Sequence, residues 1–508
     1  MIGVLEFMGK VVLAYFLILN STYAVFTLIA WRSLVNHRRN EPSLTIEEVF
    51  RSPLTPPVSI LLPAYNEEAG VVDSVRSLLM LRYSELEIVV VDDGSKDSTI
   101  ERLAAAYDLV PVRKVIPIGL DTKPVNVVYV SRVHPNLTVI SKDNGGKADA
   151  LNCGINVARY PYVCAVDGDA LLEENALLRV MAPIIDDPTV VAAGGIVRIA
   201  NGCDIASGRI TRVGLPRKPL PTLQVVEYLR AFLVGRVGWS SVGALLIISG
   251  AFGVFKKSVV QSVGGYERDT VGEDMELVVR IHRRLRANRQ HYRIAFVPDP
   301  VCWTEAPETM RVLGRQRKRW QRGLADTLWR HRGIMFDRGQ GVIRWLALPY
   351  FLVFEFLGPI VELLGYVAIP VSTFYGILSI DYLIAFMVVA IVWGMHLSVA
   401  AVALEELTFR RYPLRREVIR LTLYGLLDNF GYRQLTNLWR VQGLWQFFRG
   451  RKDWGVMPRL GLARHQAQGP SHESRVPGHQ SRVPSHESRV TSPESQEQRK
   501  AASADRSG

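Results

Sequence analysis

The chain has 508 residues, 48% of them apolar, with a formal charge of +13, which is enough for one large or two medium domains together with membrane segments. Its Arg and Lys residues cluster beside apolar stretches, which fits the positive flanks of membrane helices and argues against nucleic acid as a partner. The four cysteines (Cys153, Cys164, Cys203, Cys302) lie far apart, with no Cys-x-x-Cys pair and no His at zinc spacing. They indicate neither a disulfide framework nor a structural zinc site, and a reducing compartment is expected.

In chain order, a short N-terminal end (1–7) precedes an apolar stretch over residues 8–32 that is long enough to span a bilayer, with Lys10 placed to snorkel. It exceeds the core of a signal peptide and no small-residue cleavage site follows, so it reads as an anchor. Arg32, His37, Arg38 and Arg39 then place this end in the cytosol and the N-terminus outside. Residues 33–57, with Pro42, Pro53, Pro56 and Pro57, are expected to form a linker.

From Val58 to residue 338 the pattern becomes strands alternating with amphipathic helices, and a largely parallel sheet is predicted. Val58–Pro63, Glu87–Gly94, Val139–Ser141 and Tyr162–Val166 read as buried strands; Glu67–Leu81, Ser98–Tyr107 and Ala148–Ala158 read as helices. Each strand ends in polar residues: Ala64-Tyr-Asn-Glu67, Asp92-Asp-Gly-Ser95, Asn144-Gly-Gly-Lys147 and Asp167-Gly-Asp169. Each is ordinary turn or N-cap chemistry when taken alone. Four such ends on one sheet edge, where open α/β sheets bind ligands, point to a site. Residues i and i+2 of an extended chain share a face, and Gly168 lets the backbone bend, so Asp167 and Asp169 can both reach one hard cation.

Pro63-Ala-Tyr-Asn-Glu67, Val91-Asp-Asp-Gly-Ser95, Gly146-Lys147, Asp167-Gly-Asp169, Gly272-Glu-Asp274 and Gln316-Arg-Lys-Arg-Trp320 occur in the order expected of a membrane-bound family 2 glycosyltransferase. The resemblance covers roughly residues 55–330, and its Gln-x-x-Arg-Trp element resembles the processive polysaccharide synthases, among them the cellulose, hyaluronan and poly-N-acetylglucosamine synthases. It implies a GT-A-like α/β domain inserted between transmembrane helices. It also implies Asp274 as general base, and Asp167 with Asp169 holding Mg²⁺ or Mn²⁺. Tyr65, Glu67 and Asp93 would grip the uridine of a UDP-sugar, while Lys147, Asp167, Gln316 and Arg319 hold its diphosphate; Trp320 and Glu273 would support the acceptor. In this chain Gly272 stands where the commoner pattern has Thr, and both carboxylates that follow it remain. Gly272-Glu-Asp also reads as a helix start with acids at the positive end of the dipole. Taken bare, the basic run Arg315–Arg322 reads as a solvated face or lipid-headgroup patch, but at helical spacing Gln316, Arg319 and Trp320 fall on one side.

Val237–Phe255 has the length of a membrane span, but its glycines and serines, and its place between Asp169 and Asp274, argue against a crossing. Gln224–Arg236 is expected as an amphipathic helix near the surface, and Ser249–Phe255 as buried strand and loop near the acceptor. Residues 342–372 and 382–404 are predicted to span, going out and returning, because the loop between them lacks Lys and Arg whereas Phe409–Arg416 is basic. Glu355 and Glu362, seven residues apart in the first span, should face a partner helix or a polar path. Residues 417–448 read as membrane or interfacial helices, and 449–508 as a basic and then disordered tail. That tail carries a three-fold seven-residue repeat with His472, His479 and His486, read as solvated linker rather than a metal site.

The expected activity is inverting transfer from a UDP-sugar, with N-acetylglucosamine the best guess, to a growing β-linked polysaccharide. The alternatives are a non-processive transferase acting on a lipid or short acceptor, and an inactive scaffold or export component. The expected setting is the cell (inner) membrane, multi-pass, with a cytosolic catalytic domain, a polysaccharide or lipid-linked acceptor, contact with membrane lipid, and room for an accessory membrane subunit or a homo-oligomer.

Overall fold

The computed structural model describes residues 2–39, 55–117 and 119–451. Most of the expected linker and the whole repeat-bearing tail therefore lie outside the described residues.

The central strands form where Val, Ile and Leu run without a polar partner. β1 (Val58–Ala64) and β2 (Leu86–Asp92) are buried on both faces along nearly their whole length, as strands covered by helices on each side must be. They are followed by β3 (Leu109–Val112), β4 (Val125–Ser131), β5 (Leu137–Lys142), β6 (Tyr162–Val166) and β7 (Leu171–Leu172). Next come β8 (Val190–Ile199), the small hairpin of β9 (Asp204–Ala206) and β10 (Arg209–Arg212), then β11 (Phe252–Lys256) and β12 (Arg293–Thr304). Ten strands make one sheet in the order β3-β4-β5-β2-β1-β6-β11-β8-β12-β7.

The expectation of a largely parallel sheet needs correction. β5, β2, β1 and β6 are mutually parallel, as are β8 and β12, but β11 lies antiparallel between β6 and β8. On the far edge β3, β4 and β5 run antiparallel. The apolar runs showed that these strands are buried and carried no information about their direction. Direction follows from the connections: Val190–Ile199 and Phe252–Lys256 are joined by a long helical excursion that returns on the opposite sense.

The helix Val71–Leu79 buries Val71, Val75 and Leu78, a single stripe at helical spacing. The helix Lys147–Val157 is different, since every residue from Ala148 to Val157 is buried. It is rich in Ala and Gly so that it can lie close to the sheet, and a Cβ at Gly154 would stand 3.1 Å from Leu61. Val237–Phe255 is not one continuous helix. It leaves a helix at Ser241, loops through Ala244–Gly250 and enters the sheet as β11, as expected for a strand and loop that join the site.

The flanking helices are long. Gly3–Asn36 and Ile380–Thr408 are each long and apolar enough to cross a membrane. Ile343–Phe356 and Gly358–Phe374 are two segments bent by 41° at their junction, a broken span or a re-entrant loop. Pro359, the second residue after the break, lacks the N–H that would bond back across it. The first helix packs closely on these partners at small residues: a Cβ at Gly365 would meet Val12 at 2.8 Å, and one at Gly9 would meet Tyr382 at 3.1 Å. Glu362 accepts hydrogen bonds from Tyr15 (3.0 Å) and Tyr366 (3.2 Å), and Glu355 pairs with Arg440 at 2.8 Å. Both acids thus face partners, as the cost of a bare carboxylate in a span demands.

Candidate active site

β6 ends at Val166 and the chain turns at once into Asp167-Gly168-Asp169. The turn is held from below, because the Gly168 carbonyl accepts from Ser74 Oγ at 2.6 Å, and a Cβ at Gly168 would stand 3.3 Å from the Pro63 carbonyl oxygen. Lys147 opens its helix immediately after Gly146, whose φ of 88° is one that side-chain-bearing residues avoid. From there its Nζ lies 2.6 Å from Asp167 Oδ1 and 3.3 Å from Glu273 Oε1.

Glu273 and Asp274 begin the helix Glu273–Ala287. Asp274 Oδ2 accepts from the Gly250 N–H at 3.2 Å and Oδ1 from the Met275 N–H at 2.8 Å. Lys147 in turn donates to the Gly250 carbonyl at 3.4 Å. Burial opposes the charge on Lys147, but Asp167, Glu273 and Asp274 outweigh it and hold its pKa above the ordinary lysine value. Burial also raises the Glu273 carboxyl, against the pull of Lys147.

The helix Met310–Arg330 supplies the other wall, with Gln316, Arg319 and Trp320 at i, i+3 and i+4 on one face. It approaches the acids through a pair of glycines. A Cβ on Gly272 would lie 2.8 Å from the Gly323 Cα, and one on Gly323 would lie 2.8 Å from the Gly272 Cα. This contact accounts for Gly272 in place of the commoner Thr: the two backbones touch, and a side chain at either position would push Asp274 away from Gln316.

Lys147, Asp167, Asp169, Glu273, Asp274, Gln316, Arg319 and Trp320 all line one cavity of about 720 Å³. Tyr65, Glu67 and Asp93 do not line it. Tyr65 is 47% exposed beyond β1, and the Glu67 N–H donates to Thr99 Oγ1 at 3.0 Å. Asp93, expected at the uridine, lies against the glycine loop. Its buried carboxylate accepts from Lys142 Nζ (2.8 Å), the Gly145 N–H (3.0 Å) and the Gly146 N–H (2.7 Å). In this arrangement it shapes the glycine loop that presents Lys147. Lys142 is fully buried and also pairs with Asp149 at 2.6 Å, which Arg268 reaches at 3.1 Å. Sequence reasoning missed Lys142, Asp149 and Arg268, since only the pairing of β2 with β5 brings Lys142 beneath Asp93.

A second cavity of about 400 Å³ lies on the other side of Lys147, lined by Lys123, Asn144–Ala148, Arg268 and Glu273 among others. The first cavity continues past Trp320 to Tyr23, Tyr350, Glu355 and Arg440; of these only Glu355 was singled out from the sequence, because the others lie on flanking helices that carry no motif. Among the described residues no group of three or more His, Cys, Asp or Glu is arranged to hold a metal by itself. Asp167 and Asp169 fit a hard divalent ion that completes its shell with phosphate oxygens and water, the usual way Mg²⁺ is bound.

A sheet with parallel central strands, two acids at the end of β6 and a third at a facing helix start define a GT-A-like sugar transferase. Residues 56–323 match the family described as glycosyltransferase like family 2, and the chain belongs to that family. It is 30% identical over 322 residues to a poly-beta-1,6-N-acetyl-D-glucosamine synthase of Staphylococcus aureus (strain COL), covering 63% of this chain and 65% of that protein. A synthase of the same name from Staphylococcus epidermidis is 32% identical over 275 residues, 54% of this chain and 56% of that protein. The chain therefore matches less than two thirds of the length of each of these relatives. Among solved structures, a mannosyltransferase from Pyrobaculum calidifontis in complex with GDP-Man and Mn²⁺ aligns at 17% identity with a TM-score of 0.46, over 87% of this chain and 99% of that one.

Proposed function

We propose that the protein is an inverting glycosyltransferase that adds sugars from a UDP-sugar, with UDP-N-acetylglucosamine the first candidate, to a growing β-linked polysaccharide at the cell membrane. The observation that carries this reading is the single cavity that begins at Asp167, Asp169 and Asp274 and continues past Trp320 to residues of the flanking apolar helices. A short soluble acceptor needs no such extension, whereas a chain that grows toward the membrane does. The similarity to two poly-N-acetylglucosamine synthases supports the choice of sugar.

In this reading Asp274 accepts the proton of the acceptor hydroxyl as its oxygen attacks the anomeric carbon, and the bond from that carbon to the diphosphate oxygen breaks with its electron pair leaving on UDP. Lys147 and Arg319 hold the diphosphate, Gln316 bonds to it, and Trp320 supports the terminal sugar. Tyr65 and Glu67 lie toward the uridine, and Asp93 acts through the glycine loop. Asp167 and Asp169 would hold Mg²⁺ or Mn²⁺, which supplies positive charge to the leaving diphosphate. The first span brings the chain into the cytosol, where the nucleotide sugar is made, and the later spans go out and return.

The test is to incubate the purified protein in lipid with individually radiolabelled UDP-sugars and to size the product, with and without EDTA. High-molecular-weight polymer from UDP-N-acetylglucosamine, lost in chelator and restored by Mg²⁺ or Mn²⁺, is expected. Single-sugar products on a lipid or short acceptor would replace this reading with the non-processive one, and full activity in EDTA would remove the metal role.

A further inference from the structure

Trp320 is 44% exposed, so one face of its ring is open. The other side is covered by the next-door guanidinium of Arg317, 4.3 Å from the ring centroid. Arg317 is buried, and its Nη2 donates to Glu227 Oε2 at 2.7 Å. The same oxygen accepts from the Tyr432 hydroxyl at 2.6 Å. Among the described residues Nε and Nη1 of Arg317 have no hydrogen-bond partner, and the stack on Trp320, the bond to Glu227 and the neighbouring Tyr432 hydroxyl hold the guanidinium plane.

The three residues come from three elements. Glu227 lies on the helix Pro219–Tyr228, Arg317 on Met310–Arg330 and Tyr432 at the start of Tyr432–Phe448. Tyr432 is buried with Leu220 and Leu313 in a small apolar cluster of their own, with Trp439 packed against it. Two glycines bring the last helix against the one that carries Trp320. A Cβ at Gly314 would meet the Trp439 indole at 2.9 Å, and a Cβ at Gly443 would meet the Lys318 carbonyl and Gln321 at 2.9 Å. Arg440 bonds to Gln321 Oε1 at 2.9 Å between these contacts.

We propose that Tyr432, Glu227 and Arg317 form a positioning relay through which the helix Tyr432–Phe448 sets the plane of the Trp320 ring, so that this C-terminal helix governs how long the acceptor chain is retained rather than how the donor is used. The inference rests on the reading of Trp320 as the acceptor platform of a polymer-making enzyme. Glu227 and Arg317 line the same cavity as Trp320, and Tyr432 stands behind them. Removing the Tyr432 hydroxyl takes one of the two donors from Glu227 Oε2, so the carboxylate is held by Arg317 alone and the pair can shift together beneath Trp320, while Lys147, Asp167, Asp169 and Asp274 keep their partners.

The experiment compares wild type, Tyr432→Phe, Arg317→Lys and Gly443→Leu, each purified as the full chain in lipid. It reads the KM for UDP-N-acetylglucosamine, UDP released per sugar incorporated, and product length. Arg317→Lys keeps the charge but loses the flat stack, and Gly443→Leu displaces the helix from a separate contact. All three should keep the donor KM within about twofold, shorten the product several-fold and raise the ratio of UDP released to sugar incorporated. The Tyr432→Phe, Gly443→Leu double variant should be no worse than its worse parent, because both act on one device. Wild-type product length in Tyr432→Phe and Arg317→Lys overturns the relay while leaving the polymerase reading intact, as does a changed donor KM at unchanged length. A wild type that makes no polymer overturns the polymerase reading and the relay together.

Discussion

Asp274 and Trp320 line the same cavity yet serve different halves of the proposed reaction, and substitutions should separate them. Asp274→Asn keeps size and one carbonyl acceptor but cannot take a proton, so transfer should fall by roughly 10²- to 10⁴-fold, the usual contribution of a positioned base. The two bonds that hold Asp274 come from backbone N–H groups of Gly250 and Met275, and the amide oxygen can still accept one of them. UDP binding should therefore survive, as titrated by calorimetry or by competition. Trp320→Ala removes only the flat ring and should weaken the acceptor by about 1–3 kcal/mol, by analogy with other stacked ligands. Elongation should then fail while slow UDP release continues. Normal elongation by Asp274→Asn, or lost UDP affinity in Trp320→Ala, would reverse these assignments.

At the scale of elements, the helix Glu273–Ala287 is anchored to the loop that contacts Asp274. His282 bonds to the Leu245 carbonyl at 2.9 Å and to the Tyr292 hydroxyl at 2.6 Å, and burial pushes its pKa down to about 4. The unfolded chain, with an ordinary histidine near 6.5, binds more protons than the folded one between those two values. Stability from this group is thus complete above about pH 6.5 and is lost as pH falls toward 4, a swing of roughly 3 kcal/mol. The melting temperature in detergent should drop over that window, and His282→Gln should flatten the drop; an unchanged slope in the variant would show that other groups govern it. The elements that sequence patterning reads well are those with local causes. Tyr162–Val166 was legible to the residue because an apolar run meets two acids, and the helix carrying Gln316, Arg319 and Trp320 was legible from its spacing. β3 and β4 were not, because they are mostly half-buried strands at the sheet edge without a continuous apolar run, and the direction of β11 was not, because its partners β6 and β8 lie far away in the chain. Asp93 is the instructive residue: its motif marks a ligand contact, but the side chain turns to a buried lysine 49 positions on, which no local pattern records.

Over the whole molecule, the decisive question is which side of the membrane the last helices occupy. Arg415–Leu427 has 13 residues and Tyr432–Phe448 has 17, so at 1.5 Å per residue they measure roughly 20 and 25 Å, each short of a hydrocarbon core of about 30 Å. Neither is among the helices long and apolar enough to cross. Both are also tied to elements of the catalytic domain: Asp428, between them, pairs with Arg230 at 2.9 Å, and Tyr432 reaches Glu227. Charges held in this way belong beside the domain whose residues they pair with, and they would be costly in lipid. If the first helix enters the cytosol, the bent pair Ile343–Phe374 leaves it and Ile380–Thr408 returns, then the chain after Arg451 lies on the side of the catalytic domain. A fluorescent reporter fused after Arg451 should glow and alkaline phosphatase fused there should be inactive, with the opposite result for fusions at Gly376, in the turn between Gly358–Phe374 and Ile380–Thr408. Phosphatase activity after Arg451 together with fluorescence at Gly376 would overturn this topology, meaning either that the bent pair is re-entrant with the catalytic domain still cytosolic, or that the pair crosses and the catalytic domain faces the other way.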